Sequence, residues 1–185
     1  MDQAVLDALQ RWPDVPAAYG WLSLDRRGRW HLHPQGAPES ITNPQILAFI
    51  NRNYAANEAG QWFFQNGPQR VYVMLEGAPY ILRLDDQAHG LITHNGLEAG
   101  TVLDWWLDDE GQVWAHTQQG PGLIDDRDLP AILGRLTLDS GCPLLAADDL
   151  TLTQTVHGLG GAAPWRHAER AAMPALLGFD PRPQA

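Results

Sequence analysis

The sequence contains no lysine, so all twelve of its basic residues are arginine. A phosphate-loop lysine, a Schiff-base lysine and a kinase-type lysine are therefore excluded. Cysteine occurs once, at Cys142, which excludes an intramolecular disulfide. A lone cysteine could serve as a nucleophile, but it more often packs as a small apolar residue.

Serine is also scarce, with Ser23, Ser40 and Ser140 as the only three. None of them lies in a G-x-S-x-G motif, which excludes the nucleophile elbow of an α/β-hydrolase. No run approaches the roughly 18 apolar residues that would span a membrane. The first twelve residues lack the basic and apolar segments of a secretory signal. These absences favour a cytoplasmic protein that makes no membrane contact.

Positive charge is in short supply, with 12 basic residues against 22 acidic ones and a net charge of −10. Proteins bind phosphate backbones through clustered basic side chains. The one basic cluster, Arg26 to Arg29, falls in a predicted turn. We therefore expect neither nucleic acid nor an anionic membrane as a partner. Hydrophobic residues make up 44% of the chain, which indicates a globular protein with a core.

Apolar spacing predicts helices over residues 3–11 and 43–54, the second with Thr42 or Asn43 as cap and Pro44 in the first turn. The segments DLPAILGRL and WRHAERAAM predict further helices. Short β-type segments lie between them and are separated by glycine and proline turns. The predicted fold is α+β, with antiparallel β-rich sheets built from repeated hairpins and two or three short helices.

The chain is long enough for one domain or two small ones. We predict an N-terminal half over residues 1–92 and a C-terminal half over residues 93–185, with one compact domain as the alternative.

One short unit occurs three times in the sequence. Asp or Asn is followed by Gly three residues later, by Trp two or three residues after that, and then by a polar turn ending in Pro. The spacing predicts hairpin turns that hold each Gly at positive φ. The copies begin at Asp25, Asn57 and Asp108 and carry Gly28, Gly60 and Gly111. Their Trp rings are expected in core packing, with an aromatic pocket as the alternative.

The segment NRNYAANEAGQWFFQNGPQRVYVMLEGAPYILRL resembles a proteobacterial family known only as a domain of unknown function. The resemblance covers most of the chain, and WFFQNGPQRVYV is its most specific part. The order of elements is similar to a second uncharacterised bacterial family, in which a helix precedes a hairpin with a Glu-x-x-Pro turn, as at Glu76 to Pro79. That resemblance implies an α+β fold with repeated motifs. Neither resemblance implies an activity or a catalytic residue.

Two histidines, His31 and His33, share one face of a predicted strand, and this spacing can chelate a metal ion. A third ligand could come from His116, in the equivalent strand of the third hairpin. Solvated strand histidines are the more ordinary interpretation. Acidic runs at residues 108–110 and 125–128 could bind a hard cation, but solvated turns and a helix cap explain them too.

The sequence Gly158-x-Gly160-x-x-Ala163 lies between a predicted strand and a predicted helix, as in a dinucleotide-binding fingerprint. A Rossmann unit needs a further parallel strand after the helix, and the sequence offers none. We interpret these glycines as an ordinary loop between a strand and a helix, and we expect no nucleotide cofactor.

The segment QWFFQNGPQR predicts a ligand-binding surface. Both faces of its strand are apolar, so each face needs a cover, and one cover could be a ligand or a partner subunit. We predict Trp62, Asn66, Gln69 and Arg70 as ligand-binding residues, with Arg70 able to hold a carboxylate or phosphate. The alternative is a core strand with Arg70 paired to Glu76.

The favoured function is a non-enzymatic binding or interaction protein that recognises a small molecule or a protein partner, with a homodimer left open. No catalytic residue, metal ligand or cofactor is assigned. Eight Trp residues and many Asn and Gln near turns offer recognition surfaces. The alternative is a metal-assisted hydrolase that uses the scattered His and Asp residues.

Overall fold

The structure is a computed structural model that describes residues 1–87 and 89–185. The described chain forms two compact units. The first contains residues 1–77 and 178–185, and the second contains residues 78–177. Whether residues 1–92 and 93–185 fold as separate halves stays a prediction.

The first unit is built on a six-stranded sheet with strand order β3-β2-β1-β6-β5-β4. Strands β1 and β6 pair in parallel, and the other neighbours are antiparallel. The elements of this unit are α1 (Gln3–Arg11), β1 (Ala18–Leu24), β2 (Trp30–Leu32), β3 (Glu39–Ser40), α2 (Pro44–Arg52), β4 (Tyr54–Ala56), β5 (Trp62–Asn66) and β6 (Gln69–Leu75).

The C-terminal residues 178–185 complete the first unit. The backbone N–H of Leu75 donates to the carbonyl of Pro181 at 2.9 Å, and that of Asp180 donates to Gly60 at 3.0 Å. Phe179 is buried, with 5% of its surface exposed. This segment therefore contributes both backbone pairing and core packing.

The second unit is built on an eight-stranded sheet with strand order β12-β13-β14-β9-β10-β11-β7-β8. Two neighbouring pairs in it are parallel, β11 with β7 and β14 with β9. Its elements are β7 (Tyr80–Leu84), β8 (Leu91–Thr93), β9 (Val102–Asp108), β10 (Val113–Thr117), β11 (Gly120–Ile124), α3 (Leu129–Leu133), β12 (Thr137–Leu138), β13 (Gln154–Gly158), β14 (Gly161–Ala168) and α4 (Met173–Leu177), with 3₁₀ turns at Leu144–Ala146 and Arg170–Ala172.

The α+β class and the β-rich sheets are confirmed. The sheets are mixed rather than purely antiparallel, and the described residues contain four α-helices rather than two or three. That the hairpins are repeats of one unit stays a prediction. No helix in the part of the chain that the structure describes is long and apolar enough to cross a membrane.

The three predicted hairpin turns share one hydrogen-bonding arrangement. In each, the Asp or Asn side chain accepts from the backbone N–H groups two and four residues later, at 2.7 to 3.1 Å. Each Gly lies at positive φ, between 74° and 79°, and its N–H donates to the carbonyl of the Asp or Asn. The turn prediction is therefore confirmed for Gly28, Gly60 and Gly111. The Asp or Asn leads each turn because its short side chain can satisfy the N–H groups of the turn.

The helix predicted over WRHAERAAM is wrong, because Gly161–Ala168 forms strand β14. Trp165 is fully buried there, opposite Gln154 of β13 and Trp105 of β9. Its indole N–H donates to the carbonyl of Leu150 at 2.8 Å. Burial between two strands overrides the helical spacing of the segment.

The glycines at 158–161 consequently form a hairpin turn between β13 and β14, not a loop between a strand and a helix. This geometry lacks the helix N-terminus on which a dinucleotide fingerprint depends. Leu159 lies in this turn at φ 44°.

The helix cap expected within the acidic run at residues 125–128 falls at Asp128, which directly precedes helix α3. The Asp128 side chain makes no capping hydrogen bond to the helix. Its carboxylate accepts from the Leu84 backbone N–H at 3.1 Å and from Arg83 Nε at 3.2 Å, and so joins α3 to strand β7.

Candidate functional site

An apolar pocket of about 240 Å³ opens on one face of the six-stranded sheet, between the strands and helix α2. Its floor is formed by side chains of three central strands, with Leu22 from β1, Phe64 from β5 and Val71 from β6. These residues share a face because Phe64 lies opposite Val71 in the register of β5 and β6.

A break in the regular pairing of β1 brings Trp21 into the pocket. From Ala18 to Leu22 the strand advances four residues, while its partner β6 advances two, from Val71 to Val73. Gly20 lies inside this bulge at φ 75°, a conformation that glycine adopts without steric cost. Trp21 therefore lines the same pocket as its neighbour Leu22, although regular alternation would send the two to opposite faces.

Helix α2 provides one wall of the pocket through Ile46 and Ile50. The helix begins at Pro44 because the Asn43 side chain accepts from the N–H groups of Gln45 and Ile46, as the sequence predicts. Ile50 is buried, whereas Ile46 keeps 47% of its surface exposed. A T-shaped contact between Phe49 and Phe64, with centroids 5.4 Å apart, fixes the helix on the sheet.

The polar end of the pocket is formed by Asn66 and Gln69, which lie opposite each other where β5 turns into β6. Gly67 takes the positive φ of this turn, and its carbonyl accepts from Gln65 Nε2 at 2.9 Å. Gln69 Nε2 donates to the carbonyl of Pro16 at 3.0 Å, which holds the Gln69 amide in place.

None of the described residues that line the pocket is charged. Large apolar side chains nevertheless remain in contact with water at its rim. Trp21 is 53% exposed and Leu32 is 44% exposed. The site thus combines an apolar floor, an exposed aromatic ring and two neutral amides, which suits binding of an uncharged molecule better than acid–base chemistry.

The four residues predicted to bind a ligand do not all lie in this pocket. Asn66 and Gln69 line it, while Trp62 is buried in the core on the same strand face. Arg70 lies on the opposite face, with its guanidinium carbon 4.7 Å from the centroid of the Phe63 ring. Ligand binding by these four residues stays a prediction.

The alternative pairing of Arg70 with Glu76 is absent from the ion pairs of residues 1–87 and 89–185. The strand carrying Trp62, Phe63 and Phe64 is buried on both faces, and helix α2 covers one of them.

The Trp residues of the three hairpins belong to the core rather than to the pocket. Trp30, Trp62 and Trp114 are each less than 8% exposed. Trp30 donates to Asn51 Oδ1 at 2.8 Å, and Trp114 donates to Asp108 Oδ2 at 2.9 Å. Sequence reasoning missed Trp21, whose signal was the isolated glycine before it inside a strand pattern.

The metal site that His31, His33 and His116 could have formed was left open by the sequence, and the described residues do not form it. Within the described parts of the chain, no three His, Cys, Asp or Glu side chains group in a way that could hold a metal ion. His31 Nε2 lies 3.1 Å from Asp25 Oδ2, and His33 Nε2 lies 2.8 Å from Ser23 Oγ. His116 belongs to the second unit.

In the first unit, the side chains of Asp25, His31 and Ser40 form a hydrogen-bonded series with the composition of a catalytic triad. Its order of contacts differs, since Nε2 of His31 faces the carboxylate and Nδ1 lies 3.3 Å from Ser40 Oγ. Ser40 is exposed in the two-residue strand β3, so its hydroxyl lies at the solvent surface and not in a site that excludes water. We therefore interpret these three side chains as a structural hydrogen-bond network.

Asp25 is itself held as a carboxylate. Burial would raise its pKa, but hydrogen bonds from the Arg29 backbone, His31 and the Arg27 backbone outweigh burial, so the pKa lies below its usual value.

Two carboxylates of the acidic runs prove to be buried rather than solvated. Asp108 is 2% exposed, and its oxygens accept from Glu110, Gln112 and Trp114. Asp125 is fully buried, and hydrogen bonds from Arg127 lower its pKa to about 2. Both carboxylates organise turns, and neither is available to a cation.

Residues 1–184 match the family described as "Protein of unknown function (DUF2946)". The chain belongs to this family. The predicted resemblance to an uncharacterised family is thereby confirmed. No curated protein sequence matches the chain.

Two solved structures are similar to the chain. A DUF1285 family protein from Silicibacter pomeroyi DSS-3 is 16% identical, with a TM-score of 0.52 over 89% of this chain and 94% of that one. A DUF1285 family protein from Shewanella baltica OS155 is 17% identical, with a TM-score of 0.41 over 58% of this chain and 86% of that one. The first similarity supports the α+β fold.

Proposed function

We propose that this protein is a non-enzymatic binding protein that takes a small, uncharged and largely apolar molecule into the pocket between helix α2 and the six-stranded sheet. The main observation behind this proposal is the pocket itself, an apolar concavity of about 240 Å³ with the half-exposed Trp21 at its rim. Its volume lies just below the roughly 300 to 1,000 Å³ typical of ligand pockets, so we expect a ligand smaller than most drugs.

Exposed apolar surface at the rim supports this proposal. Trp21, Leu32 and Ile46 each leave more than two-fifths of their surface in water while lining one concavity. Single exposed apolar residues are common, but several around one opening are typical of a binding site. Removing this surface from water provides binding free energy of about 25 cal/mol per Å².

The predicted ligand-binding residues take two roles in this proposal. Asn66 and Gln69 contact the ligand directly at the polar end of the pocket. Trp62 supports strand β5 from the core, and Arg70 packs against Phe63 on the far face. A cytoplasmic location and a homodimer stay predictions.

The alternative function, a metal-assisted hydrolase, has less support. It needs three or more ligands around one ion, and the described residues offer no such group. A protein partner would use the same rim, but the concave shape of the pocket favours a small molecule.

Binding of indole, a neutral aromatic probe, tests the proposal. We expect indole to shift the NMR signals of the Trp21 ring and of the Ile46 methyl groups in a saturable way. Ile46→Gln should weaken indole binding at least tenfold, because it places an amide in the apolar wall. Leu103→Gln is the matched control, since Leu103 is 45% exposed in the second unit. Equal effects of the two substitutions, or no saturable binding, would refute the proposal.

A further inference from the structure

The polar end of the pocket carries the side chains that would select the polar group of a ligand. Asn66 and Gln69 face each other across the β5–β6 turn, and both are primary amides. They are the two hydrogen-bonding side chains among the described residues nearest the apolar floor, apart from the Trp21 indole. Any polar group on the ligand is therefore expected at this end.

The two amides offer different bonding capacity. Gln69 Nε2 donates to the carbonyl of Pro16, and this bond fixes the orientation of the amide. Gln69 Oε1 therefore remains as an acceptor in a fixed position. The Asn66 side chain makes no hydrogen bond to another residue within the described chain and is exposed to water. Asn66 can consequently offer a donor and an acceptor side by side.

Charge argues against an ionised ligand. An anion entering the pocket would lose water and find no cationic side chain among the described lining residues. The net charge of −10 would also slow its approach. A cation would meet no carboxylate there, so only neutral groups, the amide oxygens and the Trp21 ring, would offset the loss of its water.

We propose, on the basis of the proposed function above, that the pocket selects an uncharged ligand with an apolar body and a terminal carboxamide. The ligand amide pairs with Asn66 through two antiparallel hydrogen bonds, N–H to Oδ1 and C=O to Nδ2. Its remaining N–H reaches Gln69 Oε1. The apolar body lies on Leu22, Phe64 and Val71 beneath Trp21.

Benzamide, benzoate and toluene test this selection, because they share one ring and differ in charge and hydrogen-bonding groups. We expect benzamide to bind at least about tenfold more tightly than benzoate at pH 7, since benzoate loses hydration without a partner. Toluene should bind more weakly than benzamide through apolar contact alone. Dissociation constants come from NMR titrations that follow the Trp21 indole N–H.

The substitution Asn66→Leu, which keeps the side chain's shape, should lower benzamide affinity about tenfold and leave toluene affinity nearly unchanged. Gln35→Leu is the control, because Gln35 is an exposed amide of the same unit outside the pocket. If the probes bind but benzamide and benzoate do so with equal affinity, the amide selection is overturned while the pocket stands. The same holds if Asn66→Leu leaves the ratio of benzamide affinity to toluene affinity unchanged. If none of the probes binds, both proposals fall.

Discussion

At the scale of single residues, buried turn carboxylates are expected to control how stability depends on pH. Asp125 has no exposed side-chain surface and accepts hydrogen bonds from the backbone and guanidinium of Arg127. These bonds hold the pKa of Asp125 at about 2, below the usual value near 4. Because the folded pKa is lowered, the stabilisation is present above about pH 4 and is lost as the pH falls towards 2.

Replacing this carboxylate should therefore remove a pH-dependent part of the stability. We expect Asp125→Asn to lower the free energy of unfolding by about 1 to 2 kcal/mol at pH 7, allowing for the solvent screening of the half-exposed Arg127. The difference from the unsubstituted protein should shrink between about pH 4 and pH 2. Urea unfolding over this pH range measures it, with the exposed Asp148→Asn as control. A difference that stayed constant with pH would contradict the account.

Turn glycines differ in how much room surrounds them. Gly60 and Gly111 occupy the same turn position at φ 74° and 79°. A Cβ on Gly60 would lie 2.4 Å from the backbone oxygen of Gly178, whereas a Cβ on Gly111 would meet nothing within 4 Å. The first substitution therefore adds a clash with backbone to the strain of a left-handed conformation.

We expect Gly111→Ala to cost about 1 kcal/mol of stability, from strain alone. Gly60→Ala should cost clearly more, because the C-terminal segment must move to admit the methyl group. Thermal unfolding of the two variants compares them directly. Equal decreases in melting temperature would show that the C-terminal segment does not pack on Gly60 as described.

Among the residues of the candidate site, the sequence predicts the two amides but not Trp21. Asn66 and Gln69 were predicted because turn amides beside an apolar strand are typical of recognition surfaces. Trp62 is buried in the core, whereas Trp21 lines the pocket. Residue type alone does not distinguish these two tryptophans, because the difference comes from the pairing register of their strands. The bulge that redirects Trp21 depends on pairing with β6, which is distant in sequence.

At the scale of elements, the C-terminal segment is expected to be a structural part of the first unit. Phe179→Ala should lower the free energy of unfolding by about 3 to 5 kcal/mol, because a buried aromatic ring is removed. Leu176→Ala, at a side chain that is 49% exposed, should change it by less than about 0.5 kcal/mol. Denaturant unfolding of both variants measures the contrast. A Phe179 variant as stable as the Leu176 variant would place the segment outside the core.

Local signals were sufficient for elements whose ends are marked in the sequence. Asn43 and Pro44 predict the start of α2, and Asp or Asn followed by Gly predicts the three hairpin turns. In each case the residues that signal the structure also form hydrogen bonds with backbone groups a few residues away. Strand β14 was predicted as a helix, since its alternation is weak and its identity comes from pairing with β9 and β13. The parallel strand pairs were not predicted for the same reason, because they join strands that are distant in the sequence.

At the scale of the whole molecule, charge sets which partners are unfavourable. The net charge of −10 and the absence of lysine predict that the protein does not bind DNA or RNA at about 150 mM salt. Fluorescence anisotropy with a random labelled duplex checks this at protein concentrations up to tens of micromolar. Micromolar affinity for the duplex would contradict the prediction.

The central claim is that the pocket on the six-stranded sheet holds a small uncharged ligand. Intermolecular NOEs between bound benzamide and the isotope-labelled protein test it most directly, because they report which side chains contact the ligand. We predict NOEs from the benzamide ring to the Trp21 indole and the Ile46 methyl groups, and from its amide to the Asn66 side chain. NOEs to residues of the second unit alone, or none under conditions that saturate binding, would contradict it.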